Sequence, residues 1–296
     1  MTGALWALVA GIGFGLFQTV NRRAVQGMDV FFATFIQLVV SALVLAGIAL
    51  FTEDVSILFR TSWVAILNFA AAGFFHFFIG WTFLNASQKR IGAARTSPLI
   101  GTTPLFATAV AALTLREFPT LLAFLGIILI VLGAYVISEK SAGTDSHPLE
   151  TGWRASWLGL SAAFCWALSP IFIRAGLKEL PSPLLGVTVG ATVSALAYGL
   201  VLLWQRDRWA KKEVATEAWL LKIFAGILVG LSTWMRWIAL DLAPVAVVLA
   251  ITMVSTPVVI LLSPYVSGKH LERVTVTLWV GTVLILGGAL LLTFIS

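Results

Sequence analysis

Apolar residues run along this chain in long blocks with almost no charge inside them, and polar residues gather in the short stretches between. The blocks fall near 4–21, 30–51, 63–85, 93–115, 120–138, 156–173, 182–204, 219–240, 245–266 and 275–295. Each approaches the roughly 20 residues that a helix needs to cross a hydrocarbon core of about 30 Å. A transmembrane strand would be about ten residues long, with apolar and polar side chains in alternation. These blocks are longer and do not alternate, so the pattern predicts ten transmembrane helices.

The boundaries have local reasons. Pro119 follows Glu117-Phe118 and suits the first turn of the fifth helix; Pro181 and Pro183 do the same before the seventh. The stretch 140–151 (KSAGTDSHPLET) is small, polar and proline-containing, which marks a linker with five blocks on either side.

That symmetry carries an internal repeat. Trp6 aligns with Trp157 and Arg23-Ala24 with Arg174-Ala175. Two residues further out of step, Gly73 meets Gly226, Trp81 meets Trp234, Ala86 meets Ala239, and Thr103-Pro104 meets Thr256-Pro257. After another such shift Glu117 meets Glu272, Gly126 meets Gly281 and Gly133 meets Gly288. The expected domains are a five-helix repeat over 1–139, a linker at 140–151, and a second repeat over 152–296. An odd number of helices per repeat inverts the second copy in the bilayer. Inverted repeats are a design of secondary transporters, whose site lies near the midplane between the halves.

Composition narrows the picture. Hydrophobic residues make up 59% of the 296 and charged residues 11%, against about 45–50% and 25% in soluble domains. The expected fold class is therefore all-α integral membrane protein, its ten helices arranged as two inverted five-helix repeats. One cysteine excludes a disulfide scaffold. The first block begins at Leu5 without a basic leader, so it reads as a retained helix. The excess of 19 basic over 13 acidic residues would point to nucleic acid in a soluble protein. Here the cations fall in short loops, so the expected partner is the lipid bilayer and no nucleic acid. Fourteen of them lie on one side of the membrane and five on the side of the termini, which by the positive-inside rule puts the termini outside the cytoplasm.

The segment 93–133 (AARTSPLIGTTPLFATAVAALTLREFPTLLAFLGIILIVLG) resembles the end of a repeat in EamA-type transporters of the drug/metabolite transporter superfamily. The shared features are a Thr-Pro in the fourth helix, a loop glutamate and a glycine-punctuated fifth helix. The second half repeats them with Thr256-Pro257, Glu272, Gly281 and Gly287-Gly288. The resemblance implies an inverted-repeat transporter of a bacterial-type inner membrane, with helices one to four and six to nine around a central cavity and five and ten peripheral. It also implies export or exchange of small metabolites, and termini in the cytoplasm, against the charge count.

Ionised groups at the bilayer centre cost at least about 2.5–3.5 kcal/mol on insertion scales, so those present are candidates for function. His76 lies mid-block, on one helical face with Gly73 and Gly80. It is either a cavity histidine that bonds substrate or takes a proton, or a neutral side chain bonded to a carbonyl. Arg236 cannot lose its charge. It binds an anionic group, pairs with Asp241, or snorkels to the interface. Gln18, Thr102, Thr252 and Ser255 are softer substrate-binding candidates, with Asn68, Asn85 and Thr103 behind them, and Arg95 sits at a block's start. Trp81 and Trp234 match across the repeats and serve a cavity or an interfacial belt. Pro104 and Pro257 each remove a backbone bond inside a helix and mark paired kinks or gates near the site. Glu117 and Glu272 read as loop or capping charges. The GxGxG run at Gly11, Gly13 and Gly15 follows no strand and reads as helix packing.

No acidic residue falls in the middle of a block, which argues against lipophilic cations as the main substrate. The reading is a secondary transporter, exporter or exchanger, of a small neutral, zwitterionic or anionic metabolite, with proton coupling open and no metal or cofactor expected. Multidrug efflux is the alternative. An intramembrane enzyme would need convergent chemistry, and no HExxH, GxSxG or Cys/His pair is present. The pattern sets no oligomeric state, since one five-plus-five chain closes its own pseudo-dimer.

Overall fold

A computed structural model describes residues 2–115, 121–139, 153–204, 214–267 and 274–295, and among these every regular element is a helix. In the first half these are α1 (Thr2–Gln26), α2 (Val30–Thr52), α3 (Trp63–Gly73), a π-helical stretch (Phe74–Gly80), α4 (Trp81–Ile91), α5 (Ala93–Ile100), α6 (Thr103–Leu115) and α7 (Leu121–Glu139). The second half holds α8 (Trp153–Glu179), α9 (Pro183–Trp204), α10 (Thr216–Leu242), α11 (Val245–Thr252), α12 (Ser255–Val266) and α13 (Val276–Ile295). Both halves thus run through three long helical segments, one broken segment and one apolar helix. The linker, Glu117 and Glu272 lie outside the described residues.

Seven segments are long and apolar enough to cross a membrane unaided: α1, α2, the continuous run Trp63–Ile91, α8, α9, α10 and the run Val247–Val266. Among the described residues, α7 and α13 contribute shorter apolar stretches, Leu125–Ile137 and Val276–Leu291.

Local chemistry sets the ends. Asp29 accepts a hydrogen bond from the Phe31 N–H at 2.7 Å and caps α2. Gly92, at φ 88°, reverses the chain between α4 and α5, a conformation that favours glycine. Ser182 Oγ accepts from the Leu185 N–H at 3.1 Å, and Pro183 opens α9. α7 and α13 pack on each other through glycine: a Cβ on Gly133 would stand 2.6 Å from the Gly281 carbonyl oxygen. The main core joins α1, α2, α3, α4, α8, α9 and α10 around Phe17, Leu38, Phe69, Phe77, Trp81, Tyr198 and Trp237. Outward, α9 exposes Leu196, Leu200 and Leu203, as a lipid-facing surface requires.

Several expected boundaries move: the third block runs past Asn85 to Ile91 and the sixth past Ile173 to Glu179. α1 continues past Asn21 to Gln26, and α10 begins at Thr216 rather than near 219. Arg22, counted as a loop cation, is in consequence buried within α1, and Lys222, counted with the loop charges although it falls inside the 219–240 block, is buried within α10. Both stand on the basic side, so the charge asymmetry that orients the chain rests on fewer loop charges.

Candidate functional site

The run Trp63–Ile91 is the structural starting point, because its middle turn widens into a π-helix over Phe74–Gly80. Such wide turns need an external reason and recur at functional sites. Here Gly73 lies directly on the backbone of Gly190, and Gly80 on the Trp166 indole. That face turns to protein, not lipid. His76 sits between them, with 2% of its surface exposed. Its Nδ1 is 3.2 Å from Ser169 Oγ, and its ring stacks on Trp166 at 5.2 Å. The Trp166 Nε1–H donates back to the His76 carbonyl at 3.1 Å. The histidine thus has a hydroxyl partner on another helix, where a carbonyl was one expectation.

Around this face the helices leave a cavity. α1 contributes Phe14, Phe17 and Gln18; α10 contributes Val229 and Arg236; α11 and α12 contribute Thr252, Ser255 and Thr256. His76, Trp81, Thr103 and Trp166 complete much of the wall. The space open to the centre of a water molecule is about 60 Å³. One water needs roughly 10–15 Å³ by that measure, so this conformation holds a few waters or a small polar group. His76 and Arg236 are the titratable side chains of the wall, and no described residue lining it is a carboxylate.

Arg236 is 5% exposed, and its Nε is buried without a hydrogen-bond partner. It forms no ion pair with Asp241, which stands exposed near the end of α10. The guanidinium faces the cavity, so neither ion pairing nor snorkelling accounts for it. Gln18 Oε1 is likewise buried without a partner.

The predicted interruptions appear at matching places. The fourth block breaks at Gly101–Thr102, just before Thr103-Pro104, and the ninth at Met253–Val254, just before Ser255-Thr256-Pro257. Pro104 has no N–H for the Ile100 carbonyl, and Thr103 Oγ1 donates to that oxygen at 2.6 Å. Thr102 Oγ1 donates to the Leu99 carbonyl at 2.7 Å, and this residue does not line the cavity. Thr256 instead reaches the other half, where Ser97 Oγ donates to its Oγ1 at 3.3 Å.

The structure brings Gln18, His76, Trp81, Arg236, Thr252 and Ser255 to one cavity. Trp234, the repeat partner of Trp81, lies half-buried against the main core and off the cavity wall. Asn68 bonds its own helix at the Val64 carbonyl. Trp166 and Ser169 had no sequence signal, since their roles come from contacts about 90 residues away. Lys222 did have one. It lies on the face of α10 that carries Ala218, Ala225, Gly226, Val229, Gly230 and Thr233, all buried, and small residues on a membrane helix mark a face turned to protein.

Ser169 and His76 make a Ser–His contact that no motif announced. Ser169 is fully buried, and the groups around the imidazole are Trp166, Phe77 and Trp81 rather than an orienting carboxylate. The pair therefore lacks both the access and the third group of a nucleophile. Among the described residues no three His, Cys, Asp or Glu side chains gather as metal ligands.

One crystal structure of a protein 17% identical to this chain superposes with a TM-score of 0.66, over 96% of this chain and 95% of its own length. That likeness concerns the fold. No curated protein matches the chain. The model of the EamA-like transporter family matches both halves, over residues 1–139 and 153–294. Two copies of the unit, all-helical segments of membrane length and a broken helix in each half agree with that match: the chain belongs to the EamA-like family of multi-pass membrane transporters.

Proposed function

We propose that the chain is a secondary transporter of the inner membrane, crossing it ten times as two inverted five-helix repeats. It moves a small metabolite that carries an anionic group, as an anion or a zwitterion, by alternating access through the central cavity. The observation that carries this reading is Arg236: a buried guanidinium facing a cavity whose described wall holds no carboxylate. An uncompensated buried charge is costly, and a carboxylate or phosphate offers the bidentate acceptor that a guanidinium fits. Gln18 supplies an acceptor oxygen for the polar, N–H-bearing part of such a ligand. Phe14, Phe17, Trp81 and Trp166 bound its apolar part.

Lipophilic cations are the competing class, favoured by the same aromatic rings through cation–π attraction and opposed by Arg236. A thermal-shift screen of the detergent-purified protein separates the two, using amino acids, organic acids, sugar phosphates and lipophilic cations. A ligand at a hundredfold excess over its Kd stabilises by about 2.7 kcal/mol. Anionic or zwitterionic compounds should shift the wild type and not Arg236→Gln, and the same compounds should accumulate in proteoliposomes. A shift by lipophilic cations alone overturns the reading.

A further inference from the structure

Beyond the cavity, one turn further along α1 from Gln18, lies a second polar centre that is sealed from it. Lys222 on α10 is fully buried. Its Nζ lies 2.5 Å from Asn21 Oδ1 and 2.6 Å from Gln37 Oε1, with Asn85 Oδ1 at the limit of 3.5 Å. The amides lock one another: Asn21 Nδ2 donates to Asn85 Oδ1 at 2.7 Å and to Gln88 Oε1 at 2.6 Å, and Asn85 Nδ2 donates to Thr34 Oγ1 at 2.8 Å. Three helical segments of the first half are thereby tied to one of the second at the end where Arg22, Lys89 and Arg90 also gather.

The geometry says what this centre does. Two short contacts and one long one suit an amine that donates two hydrogen bonds. The third oxygen is already supplied by Asn21. No carboxylate of a described residue pairs with Lys222, and Gln37 Nε2 is buried without a partner. A third N–H and a full positive charge would find neither a close third acceptor nor a counter-charge, while water admitted by opening this end would solvate both.

We propose that Lys222 is a proton-binding site, and that uptake of a proton there loosens the closure of the basic end of the protein. A proton arrives from water at that face, the nitrogen lone pair forms the new N–H bond, and the ammonium is hydrated as the four segments part. On closure the N–H bond breaks, its electron pair stays on nitrogen, and the proton returns to the same water. This rests on the alternating-access reading.

The opposite end makes the contrast. In the repeat alignment Lys222 corresponds to Phe69, as Gly226 does to Gly73. Phe69 is fully buried against Gly176, Gly186, Gly190 and the Trp237 ring. From Lys222 to Trp237 is 15 residues of one helix, about 22 Å. One end closes on a buried amine and the other on an apolar plug, so proton uptake at Lys222 acts on one end alone, while Glu53, which accepts from Ser182 at 2.7 Å, stands at the other.

Other charged groups flank the centre. Arg22 on α1 donates to the Gln88 and Lys89 carbonyls, Lys89 on α4 to the Met28 carbonyl, and Arg23 pairs with Glu217 at the surface. Arg90 ends α4, and Asp29 caps α2. On α9 the Tyr198 hydroxyl bonds Thr82. Arg174, Lys178 and Glu179 on α8 and Asp241 on α10 lie toward the opposite end, and α11 has no titratable residue.

Hydrogen–deuterium exchange of the intact protein in detergent between pH 6 and 9, corrected for intrinsic chemistry, tests the proposal without a substrate. In the wild type, protection at 19–26, 83–91 and 217–226 should fall as pH is lowered, by up to about tenfold per unit for one proton. Protection at 65–72 and 174–190 should stay level. Lys222→Gln should flatten the response, and Lys222→Arg should leave the basic end open at every pH. A level response at both ends, an equal slope at both, or a slope that survives in Lys222→Gln overturns it. The wild-type comparison decides even if a variant does not fold. A failed transport assay with this pH response intact would instead strike the substrate reading.

Discussion

Ser97 and Thr256 meet across the two halves of the protein, hydroxyl to hydroxyl at 3.3 Å, each within about one helical turn of the break in its own segment. Both line the cavity. The contact therefore ties two interrupted helices at the place where a substrate would lie, and the properties of the site follow from how such buried polar groups are or are not satisfied.

Arg236 is the least satisfied of them. Its methionine variant keeps the length of the stem and removes an uncompensated charge. Arg236→Met should raise the stability of the ligand-free protein by at least about 1 kcal/mol, while abolishing the thermal shift given by any anionic ligand. Calorimetry with and without ligand reads both effects. A destabilised variant would mean that the guanidinium has a structural partner.

Ser169 presents the reverse case, a hydroxyl whose partners are His76 Nδ1 and the Trp166 carbonyl. Ser169→Ala should lower stability by about 0.5–1.5 kcal/mol, the usual worth of a hydrogen bond. Because the hydroxyl is fully buried, a fluorophosphonate probe should leave the wild-type mass unchanged. A covalent adduct on Ser169 would reopen an enzymatic reading of the pair.

Glycines divide by what stands opposite them. A Cβ on Gly73 would run into the backbone of Gly190, whereas Gly47 on α2 has nothing within 4 Å. Gly73→Ala should destabilise by about 1–3 kcal/mol as overpacking does. Gly47→Ala should stabilise by up to about 1 kcal/mol through helix propensity. Thermal unfolding of the two variants in one detergent tests the contrast, and equal effects would contradict the close approach of α3 and α9.

Several of these features were legible in the chain and others were not, for a physical reason. Apolar length and the matched Thr-Pro pairs reveal helices, repetition and interruption, because these depend on residues close in sequence. The face shared by Gly73, His76 and Gly80 follows from helical spacing alone. Depth and rotation do not. Trp81 and Trp234 are equivalent by repeat, yet Trp81 is buried in the core and reaches the cavity, whereas Trp234 is half-buried against the core and off the cavity wall. Lys222 falls within the eighth block on a small-residue face, yet nothing near it in the chain shows that it meets Asn21 and Gln37, 201 and 185 residues away. The π-helical turn has no local signature either, since it depends on how Gly73 and Gly80 meet other helices.

The paired prolines yield the last prediction. An alanine at 257 would restore an N–H facing the Met253 carbonyl, and one at 104 would offer the Ile100 carbonyl a backbone donor in place of Thr103 Oγ1. If the breaks act as hinges, straightening them should leave ligand affinity nearly unchanged, since neither proline lines the cavity. The rate of interconversion between inward- and outward-open forms should fall. Pro104→Ala and Pro257→Ala are therefore expected to keep the ligand-induced thermal shift while slowing transport in proteoliposomes, the double variant more than either single one. A variant that loses the shift and keeps its maximal rate would make the prolines shapers of the site rather than hinges, because affinity and not motion would then depend on the break.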